Sequence, residues 1–494
     1  MFQTLKNAWK TQELKTKLLF TLLIVILYRV GCCIPVPWVD SAAVSMFFGE
    51  SFGAMQLMMG DAFSQANLFA LSVSPYITSS IIIQLLTVAI PALERMAKDG
   101  EEGKKKIAMI TRIVTMVLAL VTSIGYSLTV VNSGMANLGS TNQVFAIAVM
   151  TACFCAGAAI VMWLAEKINE FGIGNGISII LFANIIARLP DVFVNFKTVL
   201  LGNWQMFGDP VGGVIGAVIT LINQEEVNQE ALQSSIISLI INLVWILIVV
   251  AFLAGIVWLV VWFTDSERRI PVQYAKRVVG RKMYGGQSSN LPLKLNMAGV
   301  MPVIFANSIV SIPGTLKMVF QNTDWIVMLA DDYFSYTKPL YVLVSIILLF
   351  AFAYFYIMIS FNPVEVANNI RNNGGSVPGI RPGKPTSDYI KKILNRITFI
   401  GAVFLCVVSE IPKLIISVFY TVVDLNSITL GENPVLSAIA DFSGLANGGL
   451  AASSSFVTVA FAGTSILIVV GVILETVREL EAQLTMRNYK GFLD

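Results

Sequence analysis

The sequence predicts an all-α protein that crosses a membrane ten times, and three observations carry that prediction. Hydrophobic residues make up 56% of the 494 and charged residues only 13%, about half the charged share of a soluble domain. A soluble core has no room for so much apolar side chain, whereas a bilayer has. Apolar runs of the roughly 20 residues needed to cross about 30 Å of hydrocarbon start near Leu18, Leu68, Ile107, Val144, Ile173, Ile236, Met297, Pro339, Ile393 and Phe456. An even number of runs puts both termini on one face. With that arrangement, 26 of the 33 lysines and arginines fall on the terminal face, and the opposite loops hold only Arg188, Lys197, Lys317, Lys338 and Lys413. Positive charge marks the cytoplasmic side, so both termini are expected there.

Taken in order, the elements read as follows. Lys6, Lys10, Lys15 and Lys17 precede the first run and no small-residue cleavage site follows, so that run is a retained span rather than a secretory signal. Residues 49–69, GESFGAMQLMMGDAFSQANLF, are rich in methionine and glycine, carry Glu50 and Asp61, and are too polar to cross. They read either as an external amphipathic helix or as a helix folded back into a pore. GIGNG, residues 172–176, has the look of a phosphate-binding loop, but it opens a membrane helix instead of following a β-strand. Glycines at a helix mouth more often admit close packing of neighbours. VGGVIGAVITLI, residues 211–222, has 12 residues, too few to span, and is expected to be an interfacial or re-entrant piece of a long external insertion.

The two longest basic loops are unlike ordinary topology-setting segments. Loop 264–295 carries Arg268, Arg269, Lys276, Arg277, Arg281, Lys282 and Lys294, and its VQYAKRVVGRKMY stretch alternates apolar and basic residues as a β-hairpin does. Loop 362–392 contains VPGIRPGKPT, residues 377–386. Pro378, Pro382 and Pro385 exclude a helix through it, and Gly379 and Gly383 permit tight turns. The expected product is a stiff projection holding Arg381 toward an acidic partner, either RNA phosphate or an acidic protein surface.

Much chemistry is excluded. There is no histidine, which removes the commonest metal ligand and proton shuttle, and no metal or cofactor is expected. The five cysteines, Cys32, Cys33, Cys153, Cys155 and Cys406, lie in apolar segments and in odd number, so no disulfide framework is expected. No GxxxxGK[ST] nucleotide loop occurs. Arg29, Arg112, Glu166, Glu410 and Glu475 are the ionisable residues within runs, mostly close to span ends where long side chains reach water. A proton- or sodium-coupled transporter calls for more carboxylates at mid-membrane, and an intramembrane enzyme for a histidine-based or paired-carboxylate site. A passive conduit driven from outside is therefore favoured, with an inverted-repeat secondary transporter of a small solute as the alternative.

PYITSSIIIQLL (75–86), GIGNGISII (172–180), RRIPVQYAKR (268–277), LPLKLNMAGVMPVIFANS (291–308), FNPVEVANN (361–369), VPGIRPGKPT and FAGTSILIVV (461–470) together resemble the SecY family, the channel-forming subunits of bacterial protein translocases. The resemblance runs in order through all ten spans. It implies two inverted five-helix halves around an hourglass pore: 1–194, then an external insertion 195–235, then 236–477, with a cytoplasmic tail 478–494. An odd number of spans per half produces that inversion.

The resemblance also implies roles. Val73, Ile77, Ile177, Leu181, Ile304 and Ile468 match the family's apolar pore ring, Val73 and Leu181 departing conservatively from the isoleucine typical of many members. A plug helix falls at about 50–66, with Phe52, Met55, Met58, Met59, Gly60, Asp61 and Phe63, so the folded-back reading is preferred there. Gln84, Thr111 and Asn296 match a polar cluster at a lateral gate to membrane lipid, between spans two and three on one side and seven and eight on the other. Arg281, Lys282 and Arg381 match the docking site of the SecA motor ATPase and of ribosomal RNA. The small subunits SecE and SecG are expected partners, signal sequences and nascent polypeptides the cargo, and the plasma membrane the location. External regions 188–235 and 421–455 are longer than the family pattern requires.

Overall fold

The computed structural model of the chain describes residues 6, 8–51, 61–139, 141–187, 254–274, 277–279, 282–284, 288–320, 323–334, 338–414 and 451–490. Helices dominate it. The first half contains α1 (Gln12–Cys32), α2 (Ser41–Ser51), α3 (Asp61–Ser64), α4 (Ser74–Ala89), α5 (Pro91–Lys98), α6 (Gly100–Asn132), α7 (Gln143–Phe171) and α8 (Gly176–Ala187). The second contains α9 (Ala254–Asp265), α10 (Met301–Val310), α11 (Ile312–Val319), α12 (Asp324–Met328), α13 (Pro339–Ser360), α14 (Pro363–Asn372), α15 (Lys384–Ser409) and α16 (Ala451–Lys490). Every one of the ten apolar runs meets a helix, the sixth only in its last part. The stretch 211–222, the insertion 195–235 and residues 421–450 lie outside the described residues.

Two boundaries differ from the sequence reading for identifiable reasons. The run from Leu68 becomes helical only at Ser74, because residues 65–73 form successive turns in which Ala66 and Ser72 take φ of 51° and 47°. At its other end Pro91, which cannot continue the hydrogen-bond ladder, accompanies a bend of 101° between α4 and α5. The following span starts earlier than expected. Its 33-residue helix α6 already includes Lys104, Lys105 and Lys106 and at about 50 Å outruns the hydrocarbon thickness.

The core is one large apolar cluster joining α1, α4, α7, α8, α9, α10, α13, α15 and α16. A second cluster binds α2 and α3 against α6 and α7. GIGNG lies where α1, α7, α8 and α16 meet. A Cβ on Gly176 would fall 2.0 Å from the Ala165 carbonyl oxygen, and the Gly174 amide donates to Glu479 Oε2 at 2.7 Å. A carboxylate of the chain's own last helix thus takes the position an anion would seek, and close packing explains the glycines.

Among the described residues, strands occur only in the basic loops. β1 (Glu267–Tyr274) pairs antiparallel with β4 (Ser288–Lys294), and β2 (Arg277–Val279) with β3 (Lys282–Tyr284), which is the hairpin the alternation predicts. No pattern signals β5 (Gly375–Ser376), which pairs with β1 through Gln273↔Ser376 and Tyr274↔Gly375 and joins the two basic loops into one sheet. Pro385 also departs from expectation. It sits in the first turn of α15, where its missing N–H has no intrahelical partner to lose.

Candidate pore ring, seam and docking face

The six ring residues come from four helices far apart in sequence. Val73 caps the N-terminus of α4 and Ile77 follows one turn on; Ile177 and Leu181 share a face of α8, Ile304 lies on α10 and Ile468 on α16. Val73, Ile77, Leu181, Ile304 and Ile468 are all buried in the large core cluster, with Ile177 packed against it. Five of the six therefore belong to one apolar centre, the large cluster, and the sixth packs against it.

A polar triangle that the sequence reading missed stands beside the first half of this centre. Tyr28 of α1 donates to Asn184 Oδ1 of α8 at 2.7 Å. Asn184 Nδ2 donates to Ser72 Oγ at 2.9 Å, and the Ser72 hydroxyl, 3.0 Å from the Tyr28 hydroxyl, completes the circuit. All three side chains are buried. Ser72, in its left-handed conformation, immediately precedes Val73, and Asn184 follows Leu181 by one turn, so the circuit fixes where α4 and α8 present their ring residues. Tyr28→Phe removes two of the three bonds and is expected to destabilise the chain by about 1–3 kcal/mol, read as a lowered thermal midpoint of the purified protein; an unchanged midpoint would contradict it.

Phe52, Met55, Met58, Met59 and Gly60 lie outside the described residues. The end of that segment is described: Asp61 opens α3, Ala62 belongs to the cluster that holds the ring, and Phe63 packs on Tyr126 of α6 with ring centroids 5.3 Å apart. The Tyr126 hydroxyl donates to the Phe63 carbonyl. The segment thus ends held between the large core cluster and α6.

At the seam between the halves, α10 packs on α4 and α11 on α6. Asn296 is buried just before α10. Gln84 Nε2 reaches Ser80 Oγ at 3.5 Å and Thr111 Oγ1 donates to the Ile107 carbonyl at 2.9 Å, both within their own helices. The seam is also closely packed between α6 and α11. Thr129 Oγ1 donates to the Met318 carbonyl at 3.4 Å, and a Cβ on Gly125 would fall 2.6 Å from Val319 Cγ2. Gly125 therefore lets α6 and α11 meet backbone to backbone.

On the basic face, Val377 is buried with Ile270, Leu293 and Ile397 under the three-stranded sheet. Two turns at Gly379 (φ 80°) and Gly383 (φ 105°) leave Arg381 exposed, and Thr386 Oγ1 holds the Arg381 carbonyl at 2.9 Å. Arg281 lies outside the described residues; Lys282 pairs through its backbone with Val279. Burial, and after it the Arg478 guanidinium, pull the Lys294 ammonium below the ordinary lysine range.

Of the ionisable residues within spans, Arg29, Arg112, Glu166 and Glu410 are partnered. Arg112 Nε meets Glu166 Oε1 at 2.7 Å, and the Arg29 guanidinium donates to the Ala183 carbonyl. Glu410 does not reach water, and Lys413 is no loop cation as its position in the sequence indicated: they pair at 3.0 Å with side chains 1% and 2% exposed.

Apolar helices gathered on one apolar centre, with a closed seam at its side, form a fold of the protein-conducting channel class. The chain aligns over 95% of its length with 92% of a solved chain described as "The structure of a protein conducting channel", at TM-score 0.55 and 17% identity. The match is equal to a second, described as "The plug domain of the SecY protein stablizes the closed state of the translocation channel and maintains a membrane seal". The chain belongs to the SecY family: the SecY family profile matches residues 67–477. Its relatives named "Protein translocase subunit SecY" include those of Streptomyces galbus, 37% identical, Streptomyces griseus, 38%, and Mycobacterium bovis, 33%, each aligned over 100% of both chains.

Proposed function

We infer that this multi-pass membrane protein is a passive protein-conducting channel, passing unfolded secretory polypeptides across the membrane and apolar segments sideways into it. The observation that supports this reading is that five of the six aliphatic candidates, from four helices, are buried in one large apolar cluster and the sixth packs against it. An apolar collar resists wetting and ions, yet it deforms around a polypeptide and offers no hydrogen bond that would hold it. Nothing in such a collar recognises a small solute, which disfavours the transporter reading.

The finer assignments follow from the same reading. Residues 1–194 and 236–477 are the two inverted halves, and the segment around 50–66 is the plug that stops the ring from outside. A signal sequence parts the seam between α4–α6 and α10–α13 by replacing helix contacts with its own apolar surface, near Gln84, Thr111 and Asn296. Interhelical hydrogen bonds of about 1 kcal/mol bias such a gate without locking it. Arg381, with Arg281 and Lys282, faces the partner that drives transport, the SecA ATPase or ribosomal RNA. A channel of similar fold is described as "Sec61 in the Canine ribosome-channel complex from the endoplasmic reticulum", with TM-score 0.52. SecE and SecG are the expected small subunits. The charge asymmetry supports cytoplasmic termini, and membership of the family supports the plasma membrane as the location.

Reconstituted vesicles test the reading. With SecE, SecG, SecA and ATP, a secretory precursor is expected to become protease-protected only when this chain is present. Solute uptake by the chain alone, without precursor protection, would restore the transporter.

A further inference from the structure

Glu410 and Lys413 are buried charges at the end of a membrane helix, and stability alone does not account for them. Withdrawing each from water is costly, and an apolar pair of similar volume is often as stable or more so. Ionisable groups at membrane depth are by default functional. Lys413 reaches one ring-bearing helix of the second half directly, and Ser409, which bonds to Glu410, reaches the other. Lys413 Nζ donates to Asn307 Oδ1 at 3.3 Å, and Asn307 lies one turn beyond Ile304 on α10. The Ser409 hydroxyl donates to Glu410 Oε1 at 3.2 Å, and the Ser409 carbonyl accepts from Thr464 Oγ1 at 3.5 Å. Thr464 lies one turn before Ile468 on α16. Because α10 and α16 run in opposite directions through the membrane, both contacts lie on the same side of the ring. Glu410 Oε2 is buried without a hydrogen-bond partner, so the carboxylate keeps acceptor capacity within its own site.

We propose that the Glu410–Lys413 pair is a clasp that positions the second half of the ring, tying α10 directly and α16 through Ser409 to the end of α15, so that Ile304 and Ile468 hold their closed separation. The proposal rests on the ring being the channel's constriction. Apolar contacts between the same helices would let them slide, whereas a chain of fixed donors and acceptors in a low-dielectric interior sets their register. The unused Oε2 gives Lys413 a second oxygen to follow, so the clasp survives small shifts and the half moves as one body when a polypeptide passes.

The test is the resting ion conductance of the channel complex in planar bilayers, with membrane accumulation measured alongside and Ile304→Gly as the ring control. Neutralising the pair, Glu410→Gln with Lys413→Met, is expected to raise resting conductance about tenfold. Reversing it, Glu410→Lys with Lys413→Glu, is expected to restore low conductance, since the Asn307 amide donates as well as accepts; mere packing would not be rescued. Asn307→Leu keeps the pair, cuts only the tie to α10, and is expected to leak as the neutral pair does, which decides the matter should the double variant fail to accumulate. Unaltered conductance in Asn307→Leu, or a reversed pair as leaky as the neutral one, overturns the clasp while Ile304→Gly leaks. Unaltered conductance in Ile304→Gly overturns the ring reading beneath it.

Discussion

Gly125→Leu is expected to raise the resting ion conductance of the channel by about tenfold or more while the protein still accumulates in the membrane. Even the first added carbon would lie 2.6 Å from Val319 Cγ2 and 3.2 Å from the Met318 carbonyl carbon, so α6 and α11 must separate to admit the rest. Overpacking of this kind costs about 1–3 kcal/mol, charged here against the closed arrangement alone, because an open seam has room for the side chain. Each 1.4 kcal/mol changes the closed–open balance about tenfold. Gly125→Ala should do the same to a smaller degree. Planar-bilayer conductance checks both, and a tight channel carrying leucine would mean that this contact is not part of the gate.

Arg381→Glu is expected to reduce precursor translocation about tenfold or more without altering insertion or accumulation. The side chain is exposed on a loop whose base is anchored by Val377 and by the β1–β5 pairing, so reversing its charge disturbs no packing. Against an acidic partner, reversal replaces a charge-assisted contact by repulsion, and losing one close charge pair at an interface costs about 2–5 kcal/mol. Transport assays on vesicles with matched channel content decide it; full transport would remove Arg381 from the docking surface.

The membrane fold was legible in the sequence because bilayer thickness and charge asymmetry act on whole segments, and neither depends on which helices touch. The hairpin 267–294 was legible from its alternation. Its union with the second loop was not, since β5 is a two-residue strand with no pattern of its own. The ring residues are ordinary aliphatics in a chain full of them, and only the family resemblance distinguished them. The polar groups that position the ring had no resemblance to reveal them. Ser72 and Asn184 lie 44 and 156 positions from Tyr28, and each of the three looks like a common polar residue of a membrane protein. The Glu410–Lys413 pair did leave a signal, an i,i+3 spacing of opposite charges at a span end, but a lysine beside a proline in that place reads as the start of a loop. Gly125 left none, because a close approach is visible only from both sides.

The central claim is that a polypeptide passes through the apolar ring, and the most direct test is a crosslink. Single cysteines are placed at Ile304 and along a stalled secretory chain, the five native cysteines having been replaced, in membranes supplied with SecA, SecE and ATP. A crosslink that tracks the stalled position and vanishes without ATP is the predicted result. No crosslink at Ile304, Ile77 or Ile468, in membranes where transport is otherwise complete, would place the path elsewhere and contradict the account.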